Sequence, residues 1–388
     1  MRSYRQGDDA ELYQLGRLAF GGPREPEPDM LWSAQPGWTG LVAERDGAIV
    51  GSVKVREYRQ FFGGAAVPMG GLANVAVHPH ARGGGVATAM LDAVLPHMRE
   101  RGQVISALFP SVPPLYRTRG WEQTGDYERA TLRSEALALL GKPAKRPVMR
   151  RATRDDLPAL ADAYRSVAST VDGMLDRATA AFQPEKVLDL DIVDIVPGVD
   201  GSVLGYVSAD RPDGERLLCH DLVARDRDTA LGLLASLGSW SGLLDEVSLR
   251  IVDPAWWQLL VTLPVLHDVR NHPWMLRVVD LPAAVAARGW PAATALRPSS
   301  VDIEVVDEHA PWHSGRHRLV VEDGTVTCEP GGTGAVRLQA RALGPWFAGS
   351  ADTAMLRRAG LLDADPADAR LLDLLTGAPH PCRMADSF

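Results

Sequence analysis

The residues with the plainest chemical use are three consecutive glycines, Gly83, Gly84 and Gly85, which follow Arg82 and stand between two regular runs. Leu72 to Val77 predicts a strand, stopped by Pro79. From Val86 the apolar residues Val86, Met90, Val94 and Met98 recur at every fourth position, as on one face of a helix. Glycines lack a Cβ, so the loop between strand and helix can fold closely round a ligand. The unpaired N–H groups of the helix start, at the positive end of its dipole, suit a pyrophosphate. No Gly-Lys-Ser/Thr follows the glycines, which excludes a Walker loop. Nor does G-x-G-x-x-G directly follow the strand, which excludes a dinucleotide fold.

A second group with chemical use is Tyr116. Val104 to Phe109 reads as a buried strand, and Pro113-Pro114-Leu115-Tyr116 opens a short helix that ends before Gly120-Trp121. A phenol placed there can donate a proton, or can simply pack as an aromatic near a helix start. Glu25, Glu27 and Asp29, with Trp32 and Trp38 nearby, could meet a cation through ion pairs and ring faces, or form an exposed acidic loop over core tryptophans. His78 and His80 flank Pro79 and read as solvated loop histidines. His309, His313 and His317 are spaced four apart, but Pro311 and Gly315 interrupt any helix, so no metal site is expected.

The chain that must position these groups has 388 residues, which predicts two or three domains. Its 46% hydrophobic and 23% charged residues make an ordinary globular mixture, and a net charge of −8 without a Lys/Arg block argues against nucleic acid. No run of about 18 apolar residues offers a membrane span, and Met1 to Asp8 lacks an apolar leader. Cys219, Cys328 and Cys382 are scattered and form no Cys-x-x-Cys pair, as in a reducing compartment; the expected location is the cytoplasm.

Gly141 to Pro147 reads as a linker. Tyr4 to Leu12 before it is echoed by Arg151 to Leu160 after it, each a short strand followed by an acidic helix start. Asp8 or Asp9 and Asp155 or Asp156 are expected as N-caps, and two related domains in tandem explain the echo. The second copy has no glycine loop: Leu217 to Ala230 carries Asp221, Asp226 and Asp228, whose charges would repel a pyrophosphate. Beyond Ala287 to Pro291 short β-rich runs begin, with Asp323-Gly324 as a hairpin signal, and helices follow at Thr353 to Arg358 and Ala367 to Leu375. The expected domains are 1–143, 144–287 and 288–388, and the expected fold class is α+β.

The order strand, Val77-x-Pro79-x-x-Arg82-Gly83-x-Gly85-x-Ala87, helix resembles motif A of the GNAT acetyltransferases. The resemblance implies acetyl-CoA as co-substrate and no metal. The backbone of Val75, Ala76 and Val77 would pair with the pantetheine arm. Arg82, Gly83, Gly84, Gly85, Val86, Ala87 and Thr88 would cradle the pyrophosphate, with Ser111 and Val112 near the reacting end. Tyr116, before Gly120-Trp121, matches the tyrosine that protonates the departing thiolate in that family.

The whole layout resembles the enhanced intracellular survival (Eis) family. In that family a GNAT domain and a degenerate GNAT domain precede a domain shaped like a sterol carrier protein. Ala310 to Leu319 and Ala342 to Gly349 resemble phrases of that last domain, and the sequence closes on the aromatic Phe388. The resemblance implies that the Phe388 carboxylate acts as base, that the acceptor is a cationic primary amine such as an aminoglycoside or polyamine, and that the protein is a homo-oligomer, a hexamer. Ser387 stands where a carboxylate would help to grip a polycation, with Asp386 one place further in. No cysteine precedes Cys219, so direct attack of the amine on the thioester is expected. A protein or peptide lysine acetyltransferase, and a lipid carrier with a CoA-sensing front half, remain alternatives.

Overall fold

The apolar runs assemble into two sheets in a computed structural model that describes residues 1–212, 214–263, 266–291, 299–377 and 379–388. The first half runs β1 (Arg2–Ser3), α1 (Asp9–Phe20), β2 (Trp38–Arg45), β3 (Ala48–Phe62), β4 (Ala65–Val77), α2 (Val86–Glu100), β5 (Ile105–Leu108), α3 (Pro113–Arg117) and β6 (Glu122–Arg133). The second repeats the order with β7 (Arg150–Arg151), α4 (Leu157–Ala168), β8 (Ile192–Pro197), β9 (Val203–Asp210), β10 (Arg216–Ala224), α5 (Arg227–Gly238), β11 (Glu246–Arg250), the short α6 (Trp257–Leu260) and β12 (Leu266–Val278). In each half four antiparallel strands are followed by one parallel strand, β5 beside β4 and β11 beside β10.

The halves exchange their last strands. β12 lies between β5 and β6, and β6 also pairs with β11, so both halves belong to one continuous sheet of thirteen strands. The third part comprises α7 (Leu281–Ala287), β13 (Ser299–Val306), β14 (Gly315–Glu322), β15 (Thr325–Pro330), β16 (Val336–Gln339), α8 (Ala340–Ala348), α9 (Thr353–Arg358), β17 (Leu362–Ala364) and α10 (Pro366–Thr376). It forms a second sheet in the order β15-β14-β13-β16-β17. Asp323 and Gly324, at φ 49° and 76°, make the expected tight hairpin between β14 and β15. The fold class is α+β. No helix among the described residues is long and apolar enough to cross a membrane.

Asp8 and Asp156 take the expected N-cap positions of α1 and α4, but neither side chain bonds the first amides of its helix. Asp8 folds back to accept from the Arg5 amide (2.7 Å) and pairs with Arg2, and Asp156 accepts from the Thr153 amide (2.8 Å) and pairs with Arg150. Both close a short turn before the helix instead of capping its first amides. The identical device at both places reinforces the duplication.

Two neighbouring glycines of β4 mark the layers. A Cβ on Gly70 would meet Met98 of α2, whereas one on Gly71 would meet Tyr58 and Phe388. Strand alternation therefore gives one face to α2, whose Val86, Met90, Val94 and Met98 are all buried. The other face goes to the chain's last residues and to the third part, which shares a core with Tyr58, Met69 and Ala107.

Candidate active site

β4 leaves its neighbours in two ways. Asn74 adopts a left-handed conformation (φ 48°), and the pairing with β3 skips between Ser52↔Ala76 and Lys54↔Ala73, a β-bulge. On the other side β4 pairs with β5 only from Met69 to Gly71. From Leu72 to Val77 no strand among the described residues pairs with that edge, and the Arg82 Nε donates to the Val77 carbonyl there at 3.3 Å.

At the end of this edge the chain turns through Gly83 and Gly85, at φ 75° and 73°, into α2. Space around both glycines is open, and Arg82, Gly83 and Gly84 are exposed. No side chain caps α2, whose first intrahelical bond is Ala89 N–H to the Gly85 carbonyl. The amides of Val86, Ala87 and Thr88 thus point out of the helix end, a ready anion cradle. Arg45, at the end of β2, carries no sequence pattern that marks it: its guanidinium lies 3.7 Å from where a Gly84 Cβ would stand, adding a cation to the loop. His78 and His80, just before the loop, pack with ring centroids 4.1 Å apart and planes tilted by 43°.

The corresponding turn of the second half is closed. Asp226 caps α5 by accepting from the Thr229 amide at 2.8 Å, and Asp221 is bonded to Arg177 at 2.9 Å and to the Tyr206 hydroxyl. Burial alone would raise the Asp221 carboxyl, but Arg177 holds it down at about 2. Burial pushes the thiol of Cys219, on the same strand, up to about 12.

Tyr116 sits on α3, 7% exposed, in the core between α2 and the sheet. Its ring meets Trp121 edge-on at 6.5 Å, and the Trp121 indole N–H donates to Ser106 Oγ at 3.3 Å. Burial pushes the phenol up to about 12, so it is protonated at neutral pH. Ser111 and Val112 form the exposed connection between β5 and α3.

Phe388 lies on the opposite face. Its ring packs at 5.1 Å from Tyr58 and 5.6 Å from Phe109, beneath Gly71, where β4 and β5 part. A threaded tail delivers it: β18 (Cys382–Arg383) pairs with β6, the Arg383 amide donates to the Asp172 carbonyl, and the Met384 amide donates to that of Asp126. Met384 and Ala385 are buried. Asp386 is bonded to Arg177 at 2.9 Å and accepts from the Tyr164 hydroxyl at 3.4 Å, so its carboxylate anchors the tail.

The other sequence candidates resolve differently. Trp32 and Trp38 pack with Tyr4, and the Lys54 ammonium lies 4.6 Å from the ring centroid of each tryptophan; Glu25 and Asp29 are exposed. His313 is fully buried, accepting from the Leu281 amide and bonded to Asp307 at 2.9 Å, and His317 bonds to its carbonyl. His309 pairs with Asp92. These three histidines therefore hold structure together.

Comparison with known proteins fits this geometry. Residues 1–124 match the acetyltransferase (GNAT) domain family, and residues 281–383 match the sterol carrier protein domain family. The chain is 28% identical over 348 residues to an uncharacterized N-acetyltransferase of Streptomyces avermitilis, covering 84% of each. Among solved structures it superposes on a GCN5-related N-acetyltransferase from Kribbella flavida with a TM-score of 0.84 at 26% identity, covering 100% of this chain and 98% of that one. It also superposes on Eis1 from Mycobacterium abscessus with a TM-score of 0.76 at 22% identity, covering 99% and 98%.

Proposed function

We propose, from the premise that the chain is a GNAT-type acetyltransferase with the domain arrangement of Eis1, that it moves the acetyl group of acetyl-CoA to a primary amine of a small cationic molecule. The observation that carries this reading is the Phe388 ring docked beneath Gly71, at the parting of β4 and β5.

In this reading the pantetheine arm lies along Val75, Ala76 and Val77, and its pyrophosphate rests on residues Arg82 to Thr88. The thioester then comes to the parting of the strands, with Ser111 and Val112 at the mouth. The amine approaches from the face opposite α2, because that helix's packing fills the other. As its nitrogen bonds to the acetyl carbon, the Phe388 α-carboxylate takes the ammonium proton; such a group has an ordinary pKa of about 3.3–3.7 and is ionised at neutral pH. The carbon–sulfur bond breaks, and the Tyr116 hydroxyl protonates the leaving thiolate. Positioning and proton transfer supply the catalysis.

The cationic class of acceptor, with aminoglycosides and polyamines as examples, is supported by a cavity of about 330 Å³ that adjoins the tail. Asp162, Asp176, Asp221 and Asp386 line it, the last three paired with Arg165 or Arg177, and its Phe182 packs 5.3 Å from Tyr58 beside Phe388. A homo-oligomer, the hexamer of Eis-like proteins, and a cytoplasmic location belong to the same reading. The test is free-thiol release from acetyl-CoA across a panel of aminoglycosides, polyamines and lysine-bearing peptides. The reading requires saturable turnover of at least one small amine, and turnover of peptides alone would replace it.

A further inference from the structure

On the face that receives the tail, β3 presents Lys54, Arg56 and Tyr58 at alternate positions. Arg56 stands in register across from Gly71, under which Phe388 packs, and Lys54 stands across from Ala73 at the edge of the bulge. Both cations reach one neutral acceptor: Gln35 Oε1 takes hydrogen bonds from Lys54 Nζ (2.9 Å) and Arg56 Nη2 (2.8 Å). The Gln35 amide nitrogen is turned to the Asp29 carbonyl (3.2 Å), which fixes the oxygen toward the cations.

The Arg56 Nε is buried without a hydrogen-bond partner, and no carboxylate pairs with Lys54 or Arg56 among the described residues. Asp9 is engaged by the Tyr4 hydroxyl and the Ser33 amide. Lys54 is 1% exposed, and burial, then the charge of Arg56, pulls its ammonium down to about 7 against the opposing charge of Asp9. An anion arriving here gains charge-assisted donors and relieves the repulsion between the two cations.

We propose that Arg56, backed by Lys54, receives a carboxylate of the acceptor, so that the molecule acetylated is a basic amino acid rather than a bare polyamine. The proposal rests on the acetyl-transfer reading above. It adds an anion site next to the reacting end to the carboxylate-lined cavity beyond it, where Asp162 stands beside the pairs that Arg165 and Arg177 form, and a basic amino acid answers to both.

Lysine and cadaverine, which differ by the carboxylate alone, are the test pair. Thiol release should show kcat/KM at least tenfold higher for lysine, and Arg56→Gln should cut that ratio below about threefold. Calorimetric titration of both compounds into the CoA-saturated protein reads the same preference without turnover. Equal or better use of cadaverine, or a preference that survives Arg56→Gln, overturns the carboxylate site while leaving acetyl transfer intact. If neither amine releases thiol although CoA binds, yet lysine binds tenfold tighter in an Arg56-dependent way, the anion site stands and the acetyl-transfer reading falls. Equal binding of the two overturns the proposal directly.

Discussion

Phe388 lies against Gly71 so closely that a Cβ on the glycine would stand 2.8 Å from the phenyl ring, and equally close to the Tyr58 ring. The glycine's use here is space, since nothing larger leaves the ring its seat. Gly71→Val should displace the last residue and lower kcat on the order of 10²-fold, the usual cost of a misplacement of about 1 Å. Calorimetry should find acetyl-CoA affinity within twofold of wild type. An unchanged kcat in the folded variant would detach Phe388 from the chemistry.

The position of a tag tests the proposed base independently. With intact mass showing Phe388 as the last residue, an N-terminally tagged protein should turn over acetyl-CoA, and a C-terminally tagged one should not. In the latter the carboxylate moves away and added residues occupy the acceptor face. Equal rates in both forms would assign the base to a water or an internal carboxylate.

Tyr116→Phe should lower kcat about 10²-fold while acetyl-CoA binding persists, because only the proton donor is lost. Burial holds the phenol near 12, so kcat should show no loss from its ionisation below about pH 10. A variant rate within threefold of wild type would give thiolate protonation to another group.

Gly85 opens α2 in the left-handed conformation, φ 73°, with open space round it. Gly85→Glu strains that turn and puts a carboxylate in the anion cradle. Acetyl-CoA should bind at least tenfold more weakly, about 1.4 kcal/mol. Unchanged affinity in a variant with native circular dichroism would move the pyrophosphate elsewhere.

Lys54 gives the fold a pH dependence of known sign. Its ordinary value of 10.5 falls to about 7 in the folded protein, so between those values the unfolded chain binds the additional proton. Stability therefore rises with pH across the window: the cost of the buried cation is complete below pH 7 and gone above 10.5. The melting temperature of wild type relative to Lys54→Met should climb from pH 7 to pH 10. A flat difference would mean that the faces of Trp32 and Trp38 hold the ammonium charged throughout.

How far the site was legible differs from residue to residue. The loop from Arg82 to Thr88 could be read directly, because glycine spacing and helix period are local properties of the chain. The hairpin at Asp323-Gly324 and the helix Thr353–Arg358 were legible for the same reason. Phe388 was reached through resemblance alone, since no local pattern says that a residue 317 positions after Gly71 packs beneath it. Arg45 and Arg56 gave no signal, because an arginine in a strand looks alike whether it faces water or a ligand. The exchange of β6 and β12 was equally hidden: each reads as an ordinary strand, and only pairing over more than 130 residues tells which sheet half receives it. Asp8 and Asp156 stand at the expected N-cap positions, but their bonding is hidden, because a carboxylate that folds back onto its preceding turn has the same sequence neighbourhood as one that caps forward.

That exchange has a consequence for biosynthesis. A ribosome releases the glycine loop, Tyr116 and all of β5 well before it has made β12, the strand that covers the edge of β5. At a synthesis rate of about 5–20 residues per second, the nascent first half waits roughly ten to thirty seconds with that edge bare, a template for pairing with other chains. A gene truncated after residue 143 would make the delay permanent. Expression of residues 1–143 alone should therefore yield inclusion bodies, and supplying residues 144–388 in trans should return soluble protein.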